Sequence, residues 1–377
     1  MKNELDSAAV DRARAAARII APLADATERA RRLPEEAVRA LVDAGVFKLL
    51  VPRGLGGAEA SAPTLLAVLE EIARADGSAG WCAMIGASSG LMSGYLDEAV
   101  AREVYGPPDA ITCGVFAPMG RAVREGDGLR VSGRWPFASG CEHSAWRMGG
   151  VVVEGEPPTA TVKSVLFRAD ETRVLDTWDT SGLRGTGSHD LEVHSVLVPA
   201  ERCFSFMAER RTRGDGALAM SIFGVLASGV AAVALGIARG ALDAIHELAR
   251  AKLPAGAKRS IAHRETVQLA IAGAEAKVRA ASAFLRESLA EAALEERPSL
   301  RSRAYVRLAA SHAARAAAEA VDLAYEAGGA SSIYAKNPLQ RRFRDVHVAT
   351  QHAMVGPLAA TLAGRVLLDV ESDTSTL

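Results

Sequence analysis

Apolar and polar positions divide this chain into three zones. In the first, apolar residues recur at helical spacing, as at Val38, Leu41, Val42 and Val46. Breaks fall at Leu33-Pro34 and across residues 51–57, a Pro- and Gly-rich stretch. Between about residues 109 and 202 alanine thins out, and short β-prone runs take over at residues 130–133, 148–153, 163–167 and 192–198. Gly, Pro and Asp turns separate them. From about residue 214 the helical pattern returns in four long runs, broken near Leu253-Pro254, Arg297-Pro298 and residues 328–338. The order predicts a mainly α protein with a central β-domain: an N-terminal α-helical domain over residues 1–107, a middle β-domain over 108–210 and a C-terminal four-helix bundle over 211–377. It does not alternate as a doubly wound α/β protein would.

Composition sharpens this picture. The 377 residues are 49% hydrophobic and 24% charged, a globular balance. Lys+Arg 44 against Asp+Glu 45 leaves a net charge of -1, which argues against a nucleic-acid binder. Two uncharged stretches, residues 77–96 and 216–238, are long enough to span a bilayer but are diluted by Gly, Ser and Ala. They read as buried helices, with Gly224, Ser228, Gly229 and Gly236 letting another helix approach closely. The first residues carry no apolar core for a signal peptide. Cys82, Cys113, Cys141 and Cys203 are scattered, as reduced thiols would be. A soluble, cytoplasmic protein with no nucleic-acid or membrane partner is expected.

Several familiar chemistries fail. There is no Walker A sequence, and the glycines of residues 182–188 never complete G-x-G-x-x-G. No metal site is expected. His347 and His352 lie five apart on a predicted helix, roughly 140° apart around its axis. His189 and His194 fall on opposite faces of a strand-like segment. No G-x-S-x-G elbow is present.

Four polar segments in small or apolar surroundings remain: Asp76-Gly77-Ser78-Ala79-Gly80-Trp81, residues 133–140 (Gly-Arg-Trp-Pro-Phe-Ala-Ser-Gly), residues 176–199, and residues 341–352 (Arg-Arg-Phe-Arg-Asp-Val-His-Val-Ala-Thr-Gln-His). Together they resemble the acyl-CoA dehydrogenase superfamily over nearly the whole chain. That family's architecture has an N-terminal helical domain, a β-barrel-like middle domain and a four-helix bundle. Residues 182–190 (Gly-Leu-Arg-Gly-Thr-Gly-Ser-His-Asp), the following Val198-Pro199, and residues 341–352 are similar to its branch of two-component flavin-dependent monooxygenases.

The two branches differ in chemistry. A dehydrogenase needs a carboxylate to take the α-proton of a thioester. In the family that glutamate follows the Arg-Asp segment or sits in the first bundle helix. Here the first place reads Ala349-Thr350-Gln351-His352-Ala353-Met354, and residues 216–238 contain no acid. The resemblance therefore implies the oxygenase component of a two-component system, using reduced flavin (FMNH2 or FADH2) and O2 through a C4a-(hydro)peroxyflavin. The alternative is an acyl-CoA dehydrogenase or oxidase with a displaced base; a catalytically silent scaffold or small-molecule binder is a third reading. A separate NAD(P)H:flavin reductase, a small organic substrate and a homotetramer follow from the resemblance.

The resemblance also implies roles for residues. Ser139 would hold the flavin adduct near N5, and His352 would assist at the reacting edge, where a pKa near neutrality would suit it. Trp135 and Phe137 would wall the flavin ring. Gly328, Gly329, Arg344 and Gln351 would help hold the flavin, across a subunit boundary if need be. Arg344 and Asp345 could equally form a structural ion pair. Trp81, Ser88 and His143 are the substrate-side residues, with core packing the alternative for Trp81, His143 and Trp146; Glu142 is a conceivable acid or base. Phenol-hydroxylating relatives carry a histidine where Ser88 stands, and a serine is a poor base. An aromatic, polyketide-like, amine or sulfur substrate thus stays open.

Overall fold

A computed structural model describes residues 4–157, 161–206 and 221–377. Six helices come first: α1 (Ser7–Ile20), α2 (Ala24–Ala30), α3 (Glu35–Asp43), α4 (Ala62–Ala75), α5 (Gly77–Ser89) and α6 (Glu98–Tyr105). Side-chain caps fix several of their starts. Ser61 accepts from the Thr64 amide at α4, and Asp76 from the Ala79 amide at α5.

The strands are β1 (Thr112–Glu125), β2 (Gly128–Trp135), β3 (Trp146–Val153), β4 (Val162–Arg168), β5 (Arg173–Leu175), β6 (Asp190–Pro199) and β7 (Cys203–Phe204). They form one sheet in the order β5-β6-β2-β1-β3-β4-β7. The sheet curls around its own core. Trp135 on β2 and Phe167 on β4 are separated by two strands, yet their ring centroids lie 5.7 Å apart. Three strand spacings in a flat sheet would put them about 14 Å apart. The four predicted runs became β2, β3, β4 and β6. β1 went unforeseen: Pro118 sits inside it, and its register against β3 shifts on both sides of that residue.

The last zone holds α7 (Ile222–Ala251), α8 (Glu265–Ala292), α9 (Leu300–Gly328), α10 (Pro338–Ala349) and α11 (Pro357–Leu367). The predicted breaks at Pro254, Pro298 and residues 328–338 all fall between helices. The fourth predicted run is not continuous, because residues 350–356 interrupt it and Pro357 starts a new helix. The predicted boundary at residues 210 and 211, and residues 216–220 of the second uncharged stretch, lie outside the described residues. The rest of that stretch forms α7, which by length and composition could cross a membrane but whose apolar residues are packed inside the protein. Its small residues meet the N-terminal helices. A Cβ on Gly236 would lie 2.5 Å from the Glu70 carbonyl oxygen of α4, and one on Gly229 would lie 2.7 Å from Met84 of α5. One apolar core thus runs through α1, α3–α5 and α7–α10, with the sheet's own core beside it.

Candidate functional site

Ser139 stands in the turn after β2, where the backbone is tightly held. Phe137 and Gly140 adopt positive φ of 67° and 73°. The Ala138 and Gly140 amides donate to the carbonyls of His189 and Thr186, at 3.0 and 2.9 Å. This ties the turn to residues 182–189. Ser139 Oγ is 2.6 Å from Ser188 Oγ, which is 2.6 Å from Thr186 Oγ1. Thr186 Oγ1 donates its proton to the Leu183 carbonyl at 2.9 Å. A hydroxyl has one proton, so Ser188 must donate to Thr186 and Ser139 must donate to Ser188. Ser139 also accepts from the Trp81 indole N–H at 3.0 Å. One lone pair of its oxygen is left over.

Trp81 carries the arrangement to the bundle. Its ring meets His352 edge-on, with centroids 5.4 Å apart. His352 lies in the break between α10 and α11, and its Nδ1 accepts from the Met354 amide at 3.2 Å. The ring proton is therefore on Nε2. Burial first, and then the Arg307 cation, push its pKa down to about 4. The expected near-neutral titration does not hold, because this imidazole sits in a largely desolvated place beside a positive charge. At pH 7 it is a neutral hydrogen-bond donor.

The other expected residues divide. Trp135 is not a wall residue. It is fully buried in the sheet core, donates to the Gly150 carbonyl at 2.7 Å, and fills space left by glycines. Phe137 is 69% exposed, its ring edge-on to Trp178. Ser88 lies on the same face of α5 as Trp81, seven residues on, and is buried with no hydrogen-bond partner for its Oγ. His143 is half-buried beyond the Ser139 turn, and burial lowers its pKa. Glu142 reaches Arg32 at 3.5 Å and His189 at 3.8 Å. Trp146 packs in the core beneath the Arg168 and Arg202 guanidinium groups.

Gly328 and Gly329 are not brought to this site within one chain. They end α9 about 30 Å along the helix from Arg307, which contacts Met354 beside His352. Arg344 does not pair with Asp345. It binds Glu28 at 2.5 Å and the Ser181 carbonyl at 2.6 Å, whereas Asp345 accepts from the Leu183 amide at 2.6 Å. Gln351 is exposed beside the end of α10. His347 turns the other way from His352, to Asp322 at 2.8 Å. Among the described residues the buried carboxylates are Asp76 and Asp345, and both hold backbone amides.

Three residues of the site were missed. Thr186 and Ser188 lay inside the motif of residues 182–190 without a role. Arg307 had a signal: it falls three residues after Ala304 and three before Ala310, on the alanine stripe of α9 that is buried.

Family models match twice: the acyl-CoA dehydrogenase N-terminal domain over residues 4–103 and the acyl-CoA dehydrogenase C-terminal domain over residues 228–357. The indole-3-acetate monooxygenase of Pseudomonas putida is 32% identical, over 89% of this chain and 87% of its own. The oxygenase component of the FADH2-dependent resorcinol hydroxylase of Rhizobium sp. (strain MTP-10005) is 31% identical, over 92% and 90%. Among solved structures, the 3-HSA hydroxylase of Rhodococcus sp. RHA1 superposes with a TM-score of 0.90 at 28% identity, covering 97% of this chain and 98% of that one. XiaF from Streptomyces sp., in complex with FADH2 and glycerol, gives 0.88 at 26% identity, covering 96% and 95%. The chain belongs to the acyl-CoA dehydrogenase superfamily, among the oxygenase components of flavin-dependent monooxygenases. It is a flavin-dependent oxidoreductase that works with reduced flavin, a small-molecule substrate and a separate flavin reductase.

Proposed function

We propose that this oxygenase hydroxylates a small aromatic molecule, with Ser139, His352 and Trp81 as the working residues. The relatives named above for indole-3-acetate and resorcinol support an aromatic substrate. The single observation carrying the residue assignment is the run from Thr186 through Ser188, Ser139 and Trp81 to His352, which joins the β-domain to the bundle.

These residues fit a reduced flavin, FMN or FAD. Ser139 Oγ–H is committed as a hydrogen-bond donor to Ser188 and the oxygen keeps a lone pair, so it suits an N–H donor, which the reduced ring has at N5. When bound, the flavin supplies two electrons and the carbon at which O2 is activated. Ser139 fixes that edge of the ring by accepting its N–H. His352 offers Nε2–H as a hydrogen bond without releasing a proton at neutral pH, because its conjugate acid forms only near pH 4. Trp81 holds both groups and excludes water from between them. Phe137, exposed on the same turn as Ser139, supplies an aromatic face. Gly328, Gly329, Arg344 and Gln351 serve the flavin from a neighbouring copy in a homotetramer, since one chain keeps the two glycines far from Ser139. Ser88 and His143 face the substrate side. The enzyme works in the cytoplasm.

The test mixes anaerobically reduced FMN or FAD and the protein with O2 and a panel of phenols and indoles. Oxygenated product by mass spectrometry, with little hydrogen peroxide, is expected. Flavin reoxidation unchanged by the protein, with no product from any aromatic, would count against the reading.

A further inference from the structure

Arg307 is only 3% exposed, and it has no carboxylate within ion-pairing distance among the described residues. One guanidinium nitrogen donates to the Phe223 carbonyl and to Met354 Sδ, both at 3.3 Å, and its Nε has no partner. Burying an uncompensated cation is costly, so such an arrangement calls for an explanation.

Arg342 shows what a structural buried arginine looks like in this fold. Its Nε is also without a partner, but its two terminal nitrogens donate to the carbonyls of Ala73, Arg74 and Ala75, the negative C-terminal end of α4, and Asp76 and Asp345 lie near it. Arg307 sits at the opposite kind of pole. Phe223 is in the first turn of the 30-residue helix α7, where the helix dipole is positive. One turn earlier on α9, Arg303 also has a buried, unpartnered Nε and lines a small cavity with Ser221, Gly224 and Val306. Arg303 and the start of α7 line that cavity, Arg307 lies one turn further along α9, and among the described residues no carboxylate pairs with either arginine.

This place adjoins the reacting edge. Met354, which Arg307 touches, donates its amide to His352 Nδ1. Phe223 packs against Phe206 at 6.0 Å, and Phe206 against Phe116 at 5.3 Å, which gives the surroundings aromatic walls.

We propose that Arg307 and the first turn of α7 seat the carboxylate of the substrate, so that this oxygenase acts on a small aromatic acid whose ring lies towards Trp81 and His352. The inference rests on the oxygenase reading and narrows its substrate class. The carboxylate takes the free Nε–H that no protein acceptor fills, and the ring extends from there towards the imidazole. Binding neutralises the cation that otherwise bears on His352.

The test measures equilibrium binding to the full chain with reduced FMN, kept anaerobic. The probes are arylacetic and arylpropionic acids of increasing ring size, each paired with its primary amide, which has the same shape without the charge. For at least one ring size the acid should bind about tenfold tighter than the amide or better. Arg307→Met should bring that ratio to about one, and Arg307→Lys should keep part of it. Both variants must retain the parent's circular dichroism, and the lysine variant answers the question if the methionine one does not fold. Equal affinities through the series, or an acid preference that survives Arg307→Met, would overturn the proposal. So would competition by inorganic phosphate as strong as the acids', or a loss in Arg307→Met of reduced-FMN affinity alone. Product and peroxide yields are read separately. Oxygenation with no acid preference fails this inference only, whereas acid binding without any oxygenation fails the reading beneath it.

Discussion

Asp345→Asn isolates the cost of one buried charge. Asp345 is 3% exposed on α10, and its Oδ1 accepts from the Leu183 amide at the start of the motif beside Ser139. Burial and then the neighbouring Asp76 raise its pKa from 3.8 to about 7, against weaker help from Arg342 and Arg341. The folded protein therefore keeps a proton that the unfolded chain releases. The contribution of this group to stability is fully present below about pH 4, is lost as pH rises between about 4 and 7, and levels off above that. At 1.36 kcal/mol per pK unit, ionising this group costs roughly 4 kcal/mol at pH 8, an upper figure because Asp76 shares the effect. Asparagine keeps the acceptor for Leu183 and carries no charge. The variant should match the parent near pH 4, exceed it by about 1–2 kcal/mol at pH 5 and by about 2–4 kcal/mol at pH 8. Urea unfolding at pH 5, 6, 7 and 8, read as midpoints at constant slope, gives the numbers. A variant less stable than the parent at pH 8, by more than at pH 5, would refute the reasoning and show the ionised carboxylate held by Arg342.

Three further outcomes are expected. Ser139→Ala strands the buried Trp81 N–H, so it should cost about 1–3 kcal/mol by thermal unfolding and raise the share of electrons lost as hydrogen peroxide; an unchanged peroxide yield would remove Ser139 from the chemistry. Peroxide yield should be flat between pH 5.5 and 8, since His352 protonates only near pH 4; an inflection near 6.5 that disappears in His352→Gln would contradict this. Gly149→Ala would set a Cβ 2.6 Å from the Trp135 ring, an overpacking worth about 1–3 kcal/mol that a lowered melting temperature would reveal.

The helices were legible because proline and small residues punctuate them. Pro254, Pro298 and Pro338 each lie outside a helix interior, and the alanine-poor middle holds the sheet. β1 was not legible, since its pleat is interrupted at Pro118 and the alternation breaks with it. In the site, Trp81 stands where it was expected, beside Ser139 and His352, while Trp135 moved from the expected flavin wall into the sheet core. Trp135, between Arg134 and Pro136, carries no local sign of its orientation, and only the curl of the sheet decides that it turns inward. Trp81 reaches Ser139 because α5 packs against the motif loop, a contact between residues 58 apart that local spacing does not encode. Arg307 was readable by position, but its missing partner is visible only once α7 and α9 are packed together.

The setting of Trp135 has a consequence for how such sequences can vary. Its indole occupies the volume where Gly120, Gly133 and Gly149 would otherwise carry side chains: a Cβ on Gly133 would stand 2.7 Å from the ring, and one on Gly120 closer still. Positions 120, 135 and 149, one on each of three strands, are thus bound into one exchange. A relative with a smaller residue at the tryptophan position is released from glycine at positions 120 and 149, whereas Gly133, whose Cβ would also stand 2.7 Å from the Gly120 Cα, is not. Positions 120, 135 and 149 should change together or not at all.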